Sequence, residues 1–476
     1  SSVYYPTKIS LTDYQSGYSP FIIKDILQAI KDKETNPVLG VIPALLDDWM
    51  KKIDPFCVGI SITGTSQIIP AFTIGAWIKR NYPDTHIVIG GSIVSRWREV
   101  SAKLMELSGV CFDSAIVYEG EQPLAELVES LINGKPLNEV HNLIFKDEAG
   151  QTIGNSIEKP ANINDLPVPD FDGLPLDKYF SPALVLPLLT SRGCYWNRCA
   201  FCDHSYVYHD HYSVRHADKL IEDIRTLTEK YRTKYIAFSD EDVSPATFQK
   251  LAESLEEKEM DIAYVAAARF ESQFQDLDFC KRLETSGLRA LYLGFESGSQ
   301  KVLNDMEKGQ TPEVVSKVCQ TLTLSNIWTH LFVIIGFPTE KQDDFLQTIR
   351  FIEDNKDNIG SLGVSSFVLC KYSPISRNLK EFKIKLRDTH NDLPIYYDYR
   401  QNSGSNEIEK RLEYFEETLE KLFPTRKFWG SLERTHLLLY LDRNGLPEAA
   451  GFEEADQHEI TYHELSLYKI SDAAAF

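Results

Sequence analysis

The chain has 476 residues, enough for two or three domains that each bury a core of their own, which excludes a small peptide scaffold. Lys and Arg number 50 against 70 Asp and Glu, a formal charge of −20 with no long basic block, which argues against broad electrostatic capture of nucleic acid. The longest apolar runs, residues 183–189 and 331–335, fall far short of a bilayer span, and no charged segment followed by an apolar one opens the chain. A cytoplasmic enzyme with no membrane span is the expectation.

Residues 1–155 carry a β/α rhythm: a strand near 8–11, helices over 21–31 and near 42–51, strand 57–62, helix 68–80, strand 86–90, strand 115–118 and helix 123–132. This pattern predicts a doubly wound, Rossmann-like domain whose ligand crevice lies at the strand C-termini. Ser61 and Thr63, Gly90 and Gly91, and Glu119 and Gly120 occupy those ends. Residues 144–153 read as a hairpin, and the Pro-, Asp- and Asn-rich stretch inside 156–181 reads as an interdomain linker.

Of eight cysteines, three crowd into Ser191-Arg192-Gly193-Cys194-Tyr195-Trp196-Asn197-Arg198-Cys199-Ala200-Phe201-Cys202, directly after the apolar run at 183–189. Thiolates this close point to a shared metal. Zinc would need a fourth ligand, and His204 could complete a Cys3His site. An iron–sulfur cluster on three cysteines would leave one iron open to a substrate or cofactor. The His and Tyr residues at 204–216 read as loop residues or as pocket lining, Cys370 as an inert thiol, and Cys57, Cys111, Cys280 and Cys319 as packing.

Past the loop, helices and strands alternate: helix 217–231, strand 235–239, helix 246–257, strand 262–268, helix 277–285, strand 288–295, helices 300–306 and 312–325, strand 330–335, helix 343–354 and strand 362–370. Repeated β/α units imply a parallel sheet curled toward a barrel, working at its strand C-termini. Phe238-Ser239-Asp240-Glu241-Asp242, Arg269, Leu293-Gly294-Phe295-Glu296-Ser297-Gly298-Ser299 with Met306-Glu307-Lys308-Gly309, and Ile334-Ile335-Gly336-Phe337-Pro338 fall at those ends. A carboxylate such as Glu296 can accept from two hydroxyls of one ligand, with Gly294 allowing close approach. After residue 374 the rhythm fails; helix 407–423 and an apolar segment at 435–441 predict a helical cap over the barrel mouth that carries substrate specificity.

The cysteine loop, with an Arg before its second Cys and an aromatic residue before its third, resembles that of the radical S-adenosylmethionine (radical SAM) superfamily, with C-x4-C-x2-C in place of the usual C-x3-C-x2-C. The resemblance covers residues 182–375 and implies a partial (β/α)6 TIM barrel. Within it Cys194, Cys199 and Cys202 hold a [4Fe-4S] cluster, and Phe201, Asp240, Arg269, Gly294, Glu296, Ser297, Ile335 and Gly336 contact SAM. The preceding domain resembles the cobalamin-binding domain of one subgroup, which implies cobalamin contacts at Gln15, Ser61, Thr63, Gly90, Gly91, Glu119 and Gly120. Where a family of cobalamin domains has Asp-x-His, this chain has Asp13-Tyr14-Gln15, so cobalt would lack a lower His ligand.

The implied layout is 1–155 cobalamin domain, 156–181 linker, 182–375 barrel and 376–476 cap. The implied activity is reductive cleavage of SAM to a 5′-deoxyadenosyl radical and methyl transfer from methylcobalamin to an unactivated carbon, with flavodoxin or ferredoxin as reductant and a small molecule or peptide as substrate. Cyclisation or rearrangement without methyl transfer is the alternative. RNA methylthiolation would bring further N-terminal cysteines and a basic C-terminal module, which are not seen, and a zinc-stabilised binding protein would be colourless and would not cleave SAM.

Overall fold

The computed structural model describes residues 4–9, 14–158, 160–387, 389–400, 405–423 and 432–447. The expectations that rest on residues 10–13 and 448–476 lie outside them.

The N-terminal sheet has strands β1 (Cys57–Ser61), β2 (His86–Gly90), β3 (Ser114–Ile116), β4 (Leu143–Lys146) and β5 (Thr152–Gly154), in that spatial order. The first three are parallel and the last two form an antiparallel hairpin at the edge. A doubly wound sheet reverses its strand order at the ligand crevice, but here the order follows the chain. The reason is local: Lys8–Ile9 pairs with Tyr14–Gln15 in a separate two-stranded ribbon, so no described strand lies beyond β1. Helix Ile68–Asn81 buries Ile68, Ile69, Phe72 and Ala76 against the sheet, as its apolar spacing requires.

The second sheet has six parallel strands in chain order: β6 (Val185–Leu188), β7 (Tyr235–Phe238), β8 (Ala263–Ala268), β9 (Leu288–Glu296), β10 (Trp328–Ile335) and β11 (Ser361–Ser366). β6 and β11 are not joined, so the barrel is partial. The helices between strands start on side-chain caps at Ser244, Asp276, Ser299 and Thr311, with Pro245 and Pro312 in the first turn. Outward residues such as Tyr264, Ala266, Leu291, Leu293, Leu331 and Val333 pack against that helical layer.

The inward residues are small at β8 and β9, where Ala263, Val265, Ala267 and Ala290 leave room beneath the barrel. Helix Arg434–Asn444 fills it, inserting Leu437, Leu438 and Leu441 against them. Asp442 on this helix binds Lys234 at 3.0 Å and Arg289 at 3.1 Å, both at the N-terminal ends of strands. The predicted cap over the mouth is thus corrected for this segment: the helix plugs the bottom. Helix Ser405–Leu422 joins the outer layer instead, placing Phe415 and Leu419 in the main core.

Residues 385–400 are not a helical cap either. They form a hairpin, Lys385–Leu386 with Tyr399–Arg400, and a strap that buries Leu393 and Ile395 in the N-terminal core. Trp97 Nε1 donates to Leu393 O at 2.9 Å, and Ile23 N to Asp392 Oδ2 at 3.0 Å.

Two consequences are testable. Leu438→Ala, at a fully buried site, is expected to cost about 2–5 kcal/mol in urea unfolding, whereas a helix lying loosely on the surface would lose almost nothing. His330, buried with its Nδ1 2.8 Å from Ser361 Oγ, has its pKa lowered to about 4, first by burial and then by the charge of Arg434. The unfolded chain takes up this proton below about 6.5 while the fold refuses it until about 4, so stability falls as pH drops through that window. The loss, about 3 kcal/mol, is expected to flatten in His330→Gln when unfolding midpoints are compared at pH 7.5 and 4.5.

Candidate active site at the barrel mouth

The cysteine loop starts where β6 ends. Asp240, at the end of β7, fixes that start: its carboxylate accepts from Thr190 N at 2.9 Å, Thr190 Oγ1 at 2.7 Å, Ser191 N at 2.6 Å and Ser191 Oγ at 2.7 Å. Its carboxylate is thus engaged by the start of the loop, where the expectation is a contact with SAM. The acidic residue that reaches the loop is Asp242, whose Oδ2 accepts from Cys194 Sγ at 3.2 Å and whose Oδ1 is buried with no partner. Burial raises the pKa of Asp242.

Cys194, Cys199 and Cys202 are all free thiols and are close enough to interact electrostatically. Burial pushes Cys194 up to about 11 and raises Cys199 and Cys202 as well. Opposing it at Cys199 are Lys308 and Arg269, whose Nη1 lies 3.9 Å from the sulfur. This cationic wall suits thiolates held by a metal cluster. Among the described residues no three His, Cys, Asp or Glu side chains converge as a single ion requires, and His204 Nδ1 lies 3.1 Å from Glu241 Oε1. His204 is engaged there rather than closing a Cys3His set.

Arg269 is held by its neighbours: its guanidinium lies 4.2 Å from the Trp196 ring centroid, and it donates to Lys308 O and, at 3.4 Å, to Glu271 Oε1. Trp196 Nε1 in turn donates to Glu307 O at 2.8 Å. Glu296 sits at a bulge in β9 with φ 64°, and Lys308 Nζ donates to its Oε1 at 2.8 Å. A Cβ on Gly294 would stand 2.4 Å from that oxygen and 2.5 Å from the ammonium, so glycine there makes room for the pair. Phe201 lies with its ring 5.8 Å from Lys308 Nζ. Lys308, Asp242, Trp196 and Glu271 are site residues that the sequence reading did not single out; the Met306–Gly309 motif contained Lys308, but its partner became visible only through the bulge.

Other assignments shift by one position or close up. Ser297 is fully buried, its Oγ 3.2 Å from Thr348 Oγ1, and serves the next turn rather than the mouth. Ile335 points outward into the main core, while Ile334, like Phe201, packs against the cluster of Phe337, Phe367 and Leu369. Gly336, φ 81°, donates its N–H to Glu340 Oε2 at 2.8 Å, and Ile408 lies 3.1 Å from where a Cβ would be.

In the N-terminal domain, Ser61, Thr63, Gly90 and Glu119 share the strand ends that face the barrel, and the ribbon bearing Gln15 packs beside the turn at 65–67. Thr63 N and Oγ1 lie 2.8 and 3.1 Å from Gln67 Oε1. Gly91, φ 99°, is required by the chain itself, since a Cβ would sit 2.5 Å from Ile62 O. Gly120 faces open space. Glu119 binds Arg192 at 2.6 Å through Oε2 and keeps a buried, unpartnered Oε1; burial raises its pKa against the pull of Arg192.

Two ion pairs bind this domain to the cysteine loop. Arg192, two residues before Cys194, pairs with Glu119 and Glu121. Arg96 grips Asp203, the residue after Cys202, through Nε at 2.7 Å and Nη2 at 2.9 Å. Between them Tyr118 lies 4.8 Å from His209, and the Arg98 guanidinium lies 5.7 Å from the Tyr206 ring, so part of the His and Tyr cluster builds the domain contact.

The site is thus a six-stranded parallel partial barrel with a three-cysteine loop at its mouth. Residues 188–352 match the Radical SAM superfamily. An uncharacterized methyltransferase of Pyrococcus horikoshii is 29% identical over 307 residues, 63% of this chain and 65% of that protein. The anaerobic magnesium-protoporphyrin IX monomethyl ester cyclase of Rubrivivax gelatinosus is 23% identical over 251 residues, 51% of this chain and 45% of the cyclase. The chain thus spans less than two thirds of either relative. Among solved structures, the cobalamin-dependent S-adenosylmethionine radical enzyme OxsB with aqua-cobalamin bound has a TM-score of 0.66 at 18% identity, over 85% of this chain and 64% of that one. The radical S-adenosylmethionine methyltransferase TsrM of Kitasatospora setae, with cobalamin and a [4Fe-4S] cluster bound, has 0.60 at 15% identity, over 88% and 87%. At these identities the likeness is one of fold. Among the described residues no helix is long and apolar enough to cross a membrane.

Gly309 offers a test of how the loop is supported. It has φ 72°, and a Cβ there would stand 2.3 Å from the Trp196 ring. Gly309→Ala is expected to destabilise the fold by at least about 1 kcal/mol from the backbone alone. By displacing Trp196 it should also speed the reaction of the loop cysteines with Ellman's reagent; unchanged thiol rates would show that Trp196 does not hold the loop.

Proposed function

We propose that the chain is a cobalamin-dependent radical SAM enzyme that transfers a methyl group to an unactivated carbon. The observation that carries this reading is the three-cysteine loop at the barrel mouth, held at both ends by ion pairs to the N-terminal domain. When bound, the [4Fe-4S] cluster and SAM supply reductive formation of a 5′-deoxyadenosyl radical, and cobalamin supplies the methyl carrier.

The chain's own residues have separable tasks. Cys194, Cys199 and Cys202 are the cluster ligands. Arg269 and Lys308 set a positive potential at Cys199 that favours its thiolate. Glu296, bridged by Lys308, is oriented to accept from ribose hydroxyls, and Phe201, within the cysteine loop, anchors it on the apolar cluster of Phe337 and Phe367. Ser61, Thr63, Gly90, Glu119 and Gly120 line the facing strand ends as the cobalamin side, with Gln15 next to them. Glu119 Oε1, buried and unpartnered, is an acceptor available to an amide of the corrin. Among the relatives, methyltransferase names support methyl transfer, while two matches to magnesium-protoporphyrin IX monomethyl ester cyclases favour ring closure as the second reading. A small-molecule or peptide substrate and a flavodoxin or ferredoxin as reductant complete the proposal.

The test is anaerobic reconstitution of the full chain with iron, sulfide and hydroxocobalamin, then desalting and reaction with SAM and a strong reductant. About four iron and one corrin per chain, with 5′-deoxyadenosine and methylcobalamin formed, are expected. Cys199→Ala should lose both the iron and the 5′-deoxyadenosine. Cluster and 5′-deoxyadenosine without retained corrin would overturn the methyltransferase reading, and tight zinc with neither product would overturn the radical reading itself.

A further inference from the structure

The barrel interior between the bottom plug and the mouth has a floor of unusual composition. Arg434, in the first turn of the plugging helix, enters the barrel with its guanidinium 4.4 Å from the Tyr292 ring centroid and 5.9 Å from that of Phe332. Both rings are on inward positions of β9 and β10, and His330 packs between them with ring centroids 4.9 and 4.8 Å away.

Three features of this floor are unspent by the fold. Face-on contact uses only the guanidinium plane, so the five N–H donors at its edge find no acceptor in these stacks, and Arg434 has no ion pair among the described residues. The Tyr292 side chain is 5% exposed, yet its hydroxyl has no hydrogen-bond partner. Phe332 is 36% exposed in the middle of a strand whose neighbours Leu331 and Val333 are fully buried, so part of its ring is left accessible on the inward side. A cation–π stack made for stability alone would leave neither an orphaned hydroxyl nor an open aromatic face beside it.

The walls above are narrow side chains. Ala237, Ala267, Gly294 and Gly363 occupy inward positions on four strands; Ala237 and Ala267 meet the plug, and the space at Gly363 is taken by His330 and Phe332, whose atoms would lie 3.0 and 3.4 Å from a Cβ there. His330 adds no second charge, since it is neutral above about pH 4 and its Nδ1 is engaged by Ser361. Up the same strand, Tyr292 and Glu296 are four residues apart, about 13 Å at ~3.3 Å per residue.

We propose that Arg434 and the Tyr292 hydroxyl bind an oxyanion of the substrate, a carboxylate or a phosphate carried on a flat apolar body that rests on Phe332. This deepens the reading of the mouth as the reacting site and rests on it for the word substrate. It fixes the substrate's polarity: the anionic end points down to the floor, and the carbon to be modified lies about 13 Å above it, near Glu296 and the cysteine loop. Arg434 is a specificity residue; it does not touch the reacting atoms.

The experiment uses the full chain without cofactors and three probes, benzoate, phenyl phosphate and the neutral benzyl alcohol, with dissociation constants from ligand-observed NMR. Wild type is expected to bind at least one anion in preference to the alcohol, and the tighter anion identifies carboxylate or phosphate as the natural group. Arg434→Gln is expected to lose on the order of tenfold or more for that anion while leaving the alcohol unchanged, with Arg434→Lys in between. Tyr292→Phe, which removes only the hydroxyl, should lose several-fold and covers the case in which Arg434→Gln fails to fold. Equal affinity for the alcohol and the anions, no anion binding at millimolar concentration, or unaltered anion binding in folded Arg434→Gln overturns the proposal. None of these readouts needs the cluster or SAM, so failure of the anion site and failure of the radical chemistry are told apart.

Discussion

The arrangement depends on two charged contacts that bracket nine residues. Arg192 and Asp203 flank the segment from Cys194 to Cys202, and each is held by an oppositely charged residue of the N-terminal domain. A loop of this length, left free, would have to pay the entropy of ordering each time it gathered three sulfurs. With both ends held, the loop is pre-formed. The Arg96–Asp203 pair is bidentate and little exposed, a setting in which removal of one partner costs about 3–5 kcal/mol because a buried charge is left behind. The same contacts that shape the cysteine loop therefore also decide where the first domain's strand ends lie relative to the barrel.

The strap at 385–400 reinforces that geometry from the other side. By placing Leu393 and Ile395 in the N-terminal core and bonding Lys371 N to Ile395 O, it couples the segment after β11 to the first domain. The two domains consequently share apolar core as well as surface charge. An interface of this kind holds orientation more firmly than polar contact alone, since moving the domains apart would expose leucine and isoleucine to water.

What was legible in the sequence follows from where the determinants are local. Helix Ala217–Tyr231 and helix Leu277–Thr285 have the bounds that periodicity gives, because their apolar faces and their flanking turns lie within a few residues. The three cysteines were legible for the same reason. The errors are of register and of long range. Asp240 and Asp242 differ by one strand period, and nothing local tells which faces the loop and which the Thr190–Ser191 turn. Ile334 and Ile335 pose the same ambiguity, resolved only by which side the helical layer covers. The plug was illegible because its partners are alanines 150 residues away, and an apolar run such as 435–441 suits a mouth as well as a base.

The position of the plug changes what the C-terminal segment contributes. A helix over the mouth would select substrates by gating entry; a helix beneath the barrel selects by setting the depth and chemistry of the floor. Leu437, Leu438 and Leu441 close the base, and Arg434, one turn before them, lies against the Tyr292 and Phe332 rings inside the barrel. Its place at the N-terminal turn of that helix adds the helix's own unpaired N–H groups to the positive potential facing the cavity. That turn of the helix can therefore be altered without disturbing the cysteine loop, which stands at the opposite, C-terminal ends of the strands.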